Sequence, residues 1–416
     1  MRGSGRQAVT VSPARTPTVR ATRPGRIPAR RSPVLNLSRT SRLREIPPHP
    51  ASFMPKLTFV AGRRFAAWRD LDAWTESDID RQAARFRSGI DVWIVQTYLH
   101  VRDALAADGW NVSLVENFEP GTIAVAHWDE LHRVRWRAPL SYLIGVRADR
   151  PPLLVADRVV RQNTLAADDA RQIGIPLWPQ PGIRPRNPDR GDRVLRAGYF
   201  GRLAMAPSFF SDPAFLRALA ALGIEFVPSE HDWQDYREVD VVIAFRTATP
   251  LLLRHKPVTK LSNAWLAGVP AIVGPEPAYL DLRRNEYDMW VAHDGAAVLA
   301  ALTRLVEDPA YYAAMRARAA ERANEFDVPA IRDRWLAFFR NHVALAFTQW
   351  RSSGASPWRR YPWYLGALAA ERLAAKRFRA QVRAEQAAMG GHPSAPAAGM
   401  ASPDAYSQSP LRPPAR

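Results

Sequence analysis

The residues with the clearest chemical potential lie in the segment 256–276, which reads KPVTKLSNAWLAGVPAIVGPE. Its pattern predicts a helix over 260–267 that Thr259 caps. Lys260 and Asn263 are three residues apart, so both would lie on one side of the first turn. Free backbone N–H groups, the positive end of the helix dipole and a lysine together form a site for an anion such as a diphosphate. An ordinary surface helix start with a solvated lysine is the alternative interpretation.

A strand predicted over 239–245 precedes this helix, and Arg246 follows the strand directly. Its sequence, VDVVIAF, is a continuous apolar run, which is typical of a parallel strand buried on both faces. Open parallel sheets bind ligands at the carboxyl ends of their strands. We therefore expect Arg246 to project toward the anion site, with an exposed loop arginine as the alternative.

Alternating strand and helix patterns favour an α/β fold with two Rossmann-like domains that face a cleft. We predict an N-terminal domain over 54–185, a C-terminal domain over 186–345 and further helices over 346–389, with disordered tails over 1–53 and 390–416. The predicted strands are 57–61, 112–115, 123–126, 142–146 and 153–155, then 194–199, 224–227, 239–245 and 269–273. The predicted helices are 98–107, one beginning at Asp212-Pro213, 260–267, 296–306, 309–325, 332–350 and 358–388.

Charge is distributed unevenly over the 416 residues, whose formal net charge is +18. The first 53 residues carry eleven arginines and a single acid, Glu45. Three interpretations stay open for this segment: translation beginning at Met54, an arginine-rich tail that touches anionic surfaces, or a transit peptide. The folded part is less basic and suits an enzyme that handles phosphates.

Several classes of function are excluded by what the sequence lacks. There is no cysteine, so disulfides, thiolate metal sites and a cysteine nucleophile are ruled out. No apolar run reaches the roughly 18 residues that a membrane span needs. Gly-x-Gly-x-x-Gly after a strand, a Walker phosphate loop and RNA-binding signatures are also missing, so a dinucleotide enzyme and a nucleic-acid partner are not expected.

The segment 263–276 resembles the donor-binding segment of GT-B fold glycosyltransferases. In that family a helix with small residues ends in a Gly-x-Pro-x-Ile/Val pattern and precedes a turn containing Gly and Glu; here these are Gly268 to Ile272 and then Gly274-Pro275-Glu276. The loop GYFGR over 198–202 is similar to the Gly-Arg loop after the first strand of the family's C-terminal domain.

The resemblance implies a glycosyltransferase that takes a nucleotide-sugar donor and transfers the sugar to a glycan or lipid-linked acceptor of the cell envelope. By resemblance, Arg202 and Lys260 neutralise the donor diphosphate, and Glu276 lies near sugar or ribose hydroxyls. Lys256, Arg246 and Asn263 complete the predicted donor site. No paired acids stand beside this segment to hold a metal, so we expect fixed cations to stabilise the leaving diphosphate without a metal or other cofactor.

Stereochemistry stays open. Many retaining members carry a Glu-x7-Glu pair, and the matching positions here are His255 and Asn263. The run from Val258 to Leu261 with Asn263 is also similar to the donor segment of inverting α-1,3-fucosyltransferases. Neither a retaining nor an inverting mechanism is therefore predicted.

A catalytic base would have to come from the N-terminal domain across the cleft. His127 and Asp129 follow the predicted strand 123–126, and an imidazole has a suitable pKa for this role, which Asp129 could share or support. A structural histidine beside a solvated aspartate is the alternative.

Two non-catalytic readings of the whole chain also stay open. One is an α/β module that binds nucleic acid or membrane through its basic tails, and the other is a transferase-like scaffold. The expected location is cytoplasmic, with a peripheral contact at the inner face of the membrane as an option raised by the basic amphipathic helix predicted over 358–388.

Overall fold

The computed structural model describes residues 55–353 and 356–389. All of them belong to the contact-defined unit Met54–Arg416. The predictions for segments 1–53 and 390–416, including the disordered tails and the start at Met54, lie outside the described residues.

Two separate sheets form the framework, and every pairing between their strands is parallel. The N-terminal sheet has the order β2-β1-β3-β4-β5-β6, and the C-terminal sheet has the order β11-β10-β9-β7-β8. The first sheet contains β1 (Lys56–Val60), β2 (Asn111–Val115), β3 (Ile123–His127), β4 (Tyr142–Val146), β5 (Arg158–Arg161) and β6 (Gln172–Gly174). The second contains β7 (Arg196–Phe200), β8 (Glu225–Ser229), β9 (Val241–Ala244), β10 (Ala271–Val273) and β11 (Trp290–Val291). The prediction of two Rossmann-like domains is confirmed by these sheets.

Helices connect and cover the strands. In the N-terminal half they are α1 (Glu76–Arg81), α2 (Gln96–Ala107) and α3 (Trp128–Leu131). In the C-terminal half they are α4 (Pro213–Ala221), α5 (Pro250–Leu253), α6 (Thr259–Leu266), α7 (Pro277–Leu282), α8 (Gly295–Glu307) and α9 (Pro309–Ala323). The predicted start at Asp212-Pro213 is confirmed, because the Asp212 side chain accepts a hydrogen bond from the backbone N–H of Ala214.

The last helices return to the first sheet. They are α10 (Val328–Phe338), α11 (Ala344–Ser353) and the long α12 (Pro357–Ala388), with a π-helical turn at Phe339–Val343. Trp335 and Phe339 are buried in the same apolar cluster as Phe59 of β1. Helix α12 contacts both halves, because Leu368 packs beneath the N-terminal sheet and Phe378 packs against Leu252 of α5.

The strand predicted over 153–155 is wrong, since no strand of the described chain includes this segment and the next strand after β4 is β5. Its backbone donors are used elsewhere: the N–H groups of Leu154 and Val155 donate to the Glu371 carboxylate of α12 at 2.8 and 3.3 Å. Pro151 and Pro152 directly before it have no N–H for a ladder.

No helix in the described part of the chain is long and apolar enough to cross a membrane.

Candidate functional site

The topology of the C-terminal sheet defines a crevice at one edge. After β7 the chain adds β8 on one side, and then it returns to add β9 on the other side of β7. The loops that leave the carboxyl ends of β7 and β9 therefore run in opposite directions, and the gap between them is where open parallel sheets bind ligands. The loop after β7 begins with Gly201-Arg202, and the loop after β9 begins with Phe245-Arg246.

Lys260 reaches into this crevice from the first turn of α6. Its Nζ lies 4.0 Å from the centroid of the Tyr199 ring in β7 and donates to the carbonyl of Phe245 at 3.5 Å. No ion pair joins this ammonium to a carboxylate among the described residues. Burial, and then the positive charge of Arg246, lower the pKa of Lys260 well below its usual value. A bound anion in the crevice would favour the charged ammonium and raise the pKa of Lys260 again.

Gly201 leaves room for this close approach, and its φ of 156° is one that a residue with a Cβ rarely adopts. A Cβ atom there would lie 2.6 Å from the Lys260 Nζ and 3.3 Å from its Cε. Both distances are shorter than an ordinary van der Waals contact. The sequence therefore leaves room at the end of β7 for the lysine head.

Arg246 and Glu276 form the second charged element of the crevice. The Arg246 guanidinium makes an ion pair with Glu276, which follows β10, and donates to the carbonyl of Pro257 at 3.2 Å. Burial would lower the pKa of Arg246, but the Glu276 charge raises it overall, so the arginine stays a cation. Glu276 is 2% exposed, and its Oε1 atom is buried without a hydrogen-bond partner among the described residues. That orphan acceptor could receive a hydrogen bond from a ligand hydroxyl.

Lys256 lies between the two sheets. Its Nζ makes an ion pair with Asp149 at 2.7 Å, and the neighbouring His255 Nε2 lies 3.3 Å from Nη2 of Arg147. Arg147 and Asp149 follow β4, so side chains beyond the carboxyl ends of the two sheets meet here. Burial, then the charge of Arg147, lower the pKa of His255 to about 4. Neutral His255 can therefore sit beside a guanidinium.

The remaining two predicted donor residues have different surroundings. Asn263 is buried, and its Oδ1 accepts a long hydrogen bond of 3.4 Å from the backbone N–H of Gln180, in the segment between β6 and β7. Arg202 is half-buried in the loop after β7, where its carbonyl accepts from the backbone N–H of Met205 at 3.0 Å. Asn263 therefore contacts the segment between β6 and β7, and Arg202 lies half-buried in the loop that follows β7.

On the N-terminal sheet the corresponding switch point lies between β1 and β3. His127 ends β3, and its Nδ1 accepts from the backbone N–H of Asp129 at 3.2 Å and lies 3.4 Å from Asp129 Oδ2. Asp129 also pairs with Arg150 at 2.9 Å. Burial alone would raise the pKa of Asp129, yet the His127 hydrogen bond and the charges of His127 and Arg150 hold it well below its usual range.

The imidazole of His127 is enclosed on its other side. In the part of the chain that the structure describes, Nε2 is buried and has no hydrogen-bond partner, and a Cβ atom on Gly89 would lie 2.9 Å from it. Because Nδ1 accepts from a backbone N–H, a neutral ring carries its proton on Nε2. In this tautomer Nε2–H is a hydrogen-bond donor without an acceptor among the described residues.

Comparison with known proteins gives only distant likenesses. No protein-family model matches the chain, and no curated protein matches it significantly. Among solved structures it is similar to HepE from Anabaena in complex with UDP and glucose, with 13% identity, a TM-score of 0.40, and coverage of 69% of this chain and 99% of that one. Sucrose-phosphate synthase from Thermosynechococcus elongatus matches with 13% identity, a TM-score of 0.43, and coverage of 70% and 100%. TarM matches with 10% identity and a TM-score of 0.39 over 53% of this chain, which spans only 55% of the length of TarM.

These solved structures include glycosyltransferases, the class that the donor segment resembles. At such identities the likeness concerns the fold alone. The fold itself is established by the two parallel sheets, and the chemistry has to be argued from the crevice.

One local prediction about the donor segment is wrong. Thr259 does not cap α6: it is the first helical residue, and the cap position is Val258, which makes no side-chain cap hydrogen bond. Val258 is a buried apolar residue, so packing rather than capping fixes where this helix begins. The backbone N–H groups of the first turn receive no bond from a cap side chain.

Three functional candidates were missed by sequence reasoning, namely Arg147, Asp149 and Arg150. They follow β4 directly, in the same relation that Arg246 has to β9, and this was the available signal. Between them Ala148 adopts a φ of 52°, a left-handed conformation that is uncommon for a residue with a Cβ. Such strain tends to occur at functional sites.

Metal ligands are not clustered in the described part of the chain: no group of three or more His, Cys, Asp or Glu could hold an ion there. Two Asp-x-Asp pairs do occur, at Asp70/Asp72 and Asp78/Asp80. Asp70 pairs with Arg85 at 2.7 Å, and Asp78 pairs with Arg81 at 2.6 Å. Independence from metal remains a prediction.

Proposed function

We propose that the chain is a glycosyltransferase that moves a sugar from a nucleoside-diphosphate donor to a glycan or cell-envelope acceptor. The observation that carries this proposal is the placement of Lys260 and Arg246 at the switch point between β7 and β9. Two cations, the start of an α-helix and an orphan acceptor on Glu276 converge there. This set suits a ligand with a diphosphate and hydroxyl groups.

The crevice supports chemistry at the diphosphate. When the sugar–phosphate bond breaks, negative charge builds up on the leaving diphosphate, and groups already aimed at it lower the barrier. Lys260 is the adaptable cation, because its ammonium is held by a carbonyl and a ring and not by a carboxylate. Arg246 is fixed by Glu276 and Pro257. We propose that Lys260 and Arg202 contact the diphosphate, while Arg246 and Lys256 supply the surrounding positive field.

Glu276 and Asn263 take other roles in this proposal. The Glu276 carboxylate is neutralised by Arg246, so it costs less repulsion against a phosphate than a lone acid would. Its unpartnered Oε1 is suited to a sugar or ribose hydroxyl. Asn263 anchors the start of α6 to the segment near Gln180 and thereby positions the helix.

On the acceptor side, we propose that His127 supplies the proton-handling group and that Asp129 orients it. The depressed pKa of Asp129 makes this carboxylate a poor proton acceptor at neutral pH, whereas its charge stabilises an imidazolium beside it. For this role the neutral ring would have to carry its proton on Nδ1, directed toward Asp129 Oδ2 at 3.4 Å, so that Nε2 could accept a proton. Gly89 would also have to shift for a substrate hydroxyl to reach Nε2. The N-terminal domain, with the boundaries 54–185 expected from the sequence, is the acceptor side in this proposal.

The first experiment screens thermal stability with UDP, GDP, dTDP and CMP, because a ligand that binds the native state raises its melting temperature. The variant Lys260→Ala should weaken binding of the active nucleotide by about 1.5–3 kcal/mol, the range for a hydrogen bond to a charged group. Lys376→Ala, which removes an exposed lysine of α12, is the matched control and should bind like the wild type.

A nucleoside without phosphates separates the two parts of the site. It should bind Lys260→Ala as well as wild type, since only the phosphate contact has changed. No stabilisation by any of the four nucleotides would overturn the transferase proposal in favour of a non-catalytic scaffold. Once a nucleotide is known, release of free sugar or transfer from its sugar conjugate tests catalysis directly.

A further inference from the structure

The exposed tryptophans of this protein are gathered on one face. All fourteen tryptophans lie in the described residues, and the exposed ones are Trp136, Trp358 and Trp363, at 63%, 90% and 37%. The other eleven are buried or half-buried. Exposing such large apolar rings costs free energy in water, so a cluster of them marks an interaction surface.

Two segments build this face, the loop 133–137 after α3 and the first turns of α12. They are joined by hydrogen bonds: the Tyr361 hydroxyl donates to the carbonyl of Trp136 at 3.0 Å, and the Tyr364 hydroxyl donates to the carbonyl of Arg133 at 3.2 Å. Below them Arg360 makes an ion pair with Asp157 at 2.8 Å. The tryptophans are therefore presented from a fixed platform.

The charge along the same helix has one sign. The charged residues of α12 that are exposed are all cations, namely Arg359, Arg372, Lys376, Arg377, Arg379 and Arg383. Its two acids point into the protein or are engaged there, since Glu371 is buried against the N–H of Leu154 and Glu385 accepts from the N–H of Leu251. Arg133 and Arg137 add exposed cations on the adjoining loop.

Leucines complete the apolar part of the face. Leu365 and Leu373 of α12 are exposed at 45% and 49%, and Leu373 lies on the side of the helix opposite the buried Tyr364. The result is an aromatic and aliphatic end that continues into a cationic stretch along a single helix. We call this the tryptophan–arginine face.

We propose that the tryptophan–arginine face docks the protein on an anionic lipid bilayer. Tryptophan rings prefer the headgroup level, where the indole is half in apolar and half in polar surroundings. Arginines and lysines beside them are attracted by anionic headgroups. A protein partner would have to provide an acidic surface as long as the helix, whereas a bilayer offers both the negative charge and the apolar layer along the whole face.

This inference does not depend on the proposed glycosyl transfer, since the face is formed by α12 and the loop 133–137 and not by the crevice residues. If both proposals hold, the tryptophan end of the face lies beside the N-terminal sheet, which is the proposed acceptor side, and the cationic stretch continues along α12 beside the C-terminal half. A lipid-linked acceptor would then be met at the surface that carries it.

The test is co-sedimentation of the full chain with vesicles of phosphatidylcholine, with and without phosphatidylglycerol. Binding should require phosphatidylglycerol and fall steeply as salt is raised. The double variant Trp136→Ser/Trp358→Ser should lower the partition coefficient at least tenfold. Leu216→Ser/Leu280→Ser, which removes two exposed leucines of α4 and α7, is the matched control and should bind like the wild type.

Charge is tested separately with Arg377→Gln/Arg383→Gln. Each cation near an anionic surface strengthens binding roughly fivefold, so this pair should lose roughly 25-fold. Arg217→Gln/Arg283→Gln, two exposed arginines of the C-terminal half, should have little effect. All variants change exposed residues, and unchanged melting temperatures would show that folding is intact.

Quenching by brominated lipids locates the contact. Brominated phosphatidylglycerol vesicles should quench the wild-type tryptophan fluorescence, and most of that quenching should vanish in Trp136→Ser/Trp358→Ser. Vesicle binding that survives both double variants would overturn the proposal and place the contact elsewhere in the chain. Two further results would also overturn it. If the protein bound heparin as tightly as vesicles and the tryptophan variants had no effect, the face would be a general polyanion site. If the wild type formed a dimer that the tryptophan variants dissociate, a second copy would cover the face.

Discussion

Replacing Gly201 by alanine is the sharpest test of the crevice, because it moves one charge without removing it. The added Cβ would lie 2.6 Å from the Lys260 Nζ. An ordinary contact begins near 3.4 Å, so the ammonium would have to retreat by about 0.8 Å. The lysine chain is flexible and can move at little cost, but Gly201 has a φ of 156°, which a residue with a Cβ rarely adopts. We therefore expect the free energy of unfolding to fall by about 1–3 kcal/mol from backbone strain.

Binding should weaken for a separate reason, the displacement of the ammonium. A charged hydrogen bond of about 2.8 Å that is lengthened by 0.8 Å is no longer a hydrogen bond. Since such bonds contribute about 1.5–3 kcal/mol and the lysine can partly readjust, Gly201→Ala should weaken nucleoside-diphosphate binding by about 1–2 kcal/mol, or roughly 5- to 30-fold.

Calorimetric titration of four proteins decides the question: wild type, Gly201→Ala, Lys260→Ala and the double variant. Without the ammonium the new methyl group has room, so the double variant should bind no more weakly than Lys260→Ala alone. Gly366→Ala is a control, because a Cβ there meets no atom within 4 Å. Additive losses in the double variant, or full affinity in Gly201→Ala beside a weakened Lys260→Ala, would refute the proposed approach of Lys260 to the diphosphate.

Four further predictions follow from the same contacts. The pKa of Lys260 is lowered in the free protein, and a bound anion should raise it, so diphosphate binding should take up protons and weaken as pH rises. Calorimetric titration in two buffers of different ionisation enthalpy measures this proton uptake, which Lys260→Met should abolish. Ala148→Gly should stabilise the protein by about 1 kcal/mol in denaturant unfolding, because glycine relieves the left-handed strain; a loss of stability would contradict this. Burial raises the pKa of Asp149, but the charge of Lys256 lowers it to about 2 overall. The carboxylate therefore stabilises the fold fully above its unfolded pKa near 3.8, and this stabilisation is lost as pH falls toward 2. Asp149→Asn should reduce the difference in unfolding free energy between pH 7 and pH 3 by about 1–2 kcal/mol at most. Activity, once a donor is found, should persist in excess chelator, and a loss restored by magnesium or manganese would overturn the metal-free mechanism.

Much of the framework could be predicted from local patterns. Four residues of the run VDVVIAF, Val241–Ala244, form β9 and are all buried, because a central parallel strand has no side that faces solvent. Asp212 and Pro213 began α4 as expected, since a cap and a proline act within one turn. The strand predicted over 153–155 failed because a distant carboxylate, Glu371, binds its backbone N–H groups.

The candidate site could be predicted only in part. Lys260 and Arg246 were recognised from their positions at a helix start and a strand end, and the structure brings both to one crevice. The pairing of Arg246 with Glu276 was not foreseen, since these residues are 30 positions apart. Asn263 stays a prediction for the donor site; its contact with the backbone N–H of Gln180 was not foreseen, because the two residues are 83 positions apart.

The sequence by itself determined the types of element, their order and the chemical groups at their ends, because apolar period, caps and breakers act over a few residues. The tertiary structure decided which strand ends become neighbours, since strand order places β7 beside β9 only through a crossover. It also decided that Lys256 meets Asp149 and that Trp136 lies beside the first turn of α12. These contacts join residues more than 100 positions apart, and their free energy comes from packing and charge pairing that no local pattern encodes.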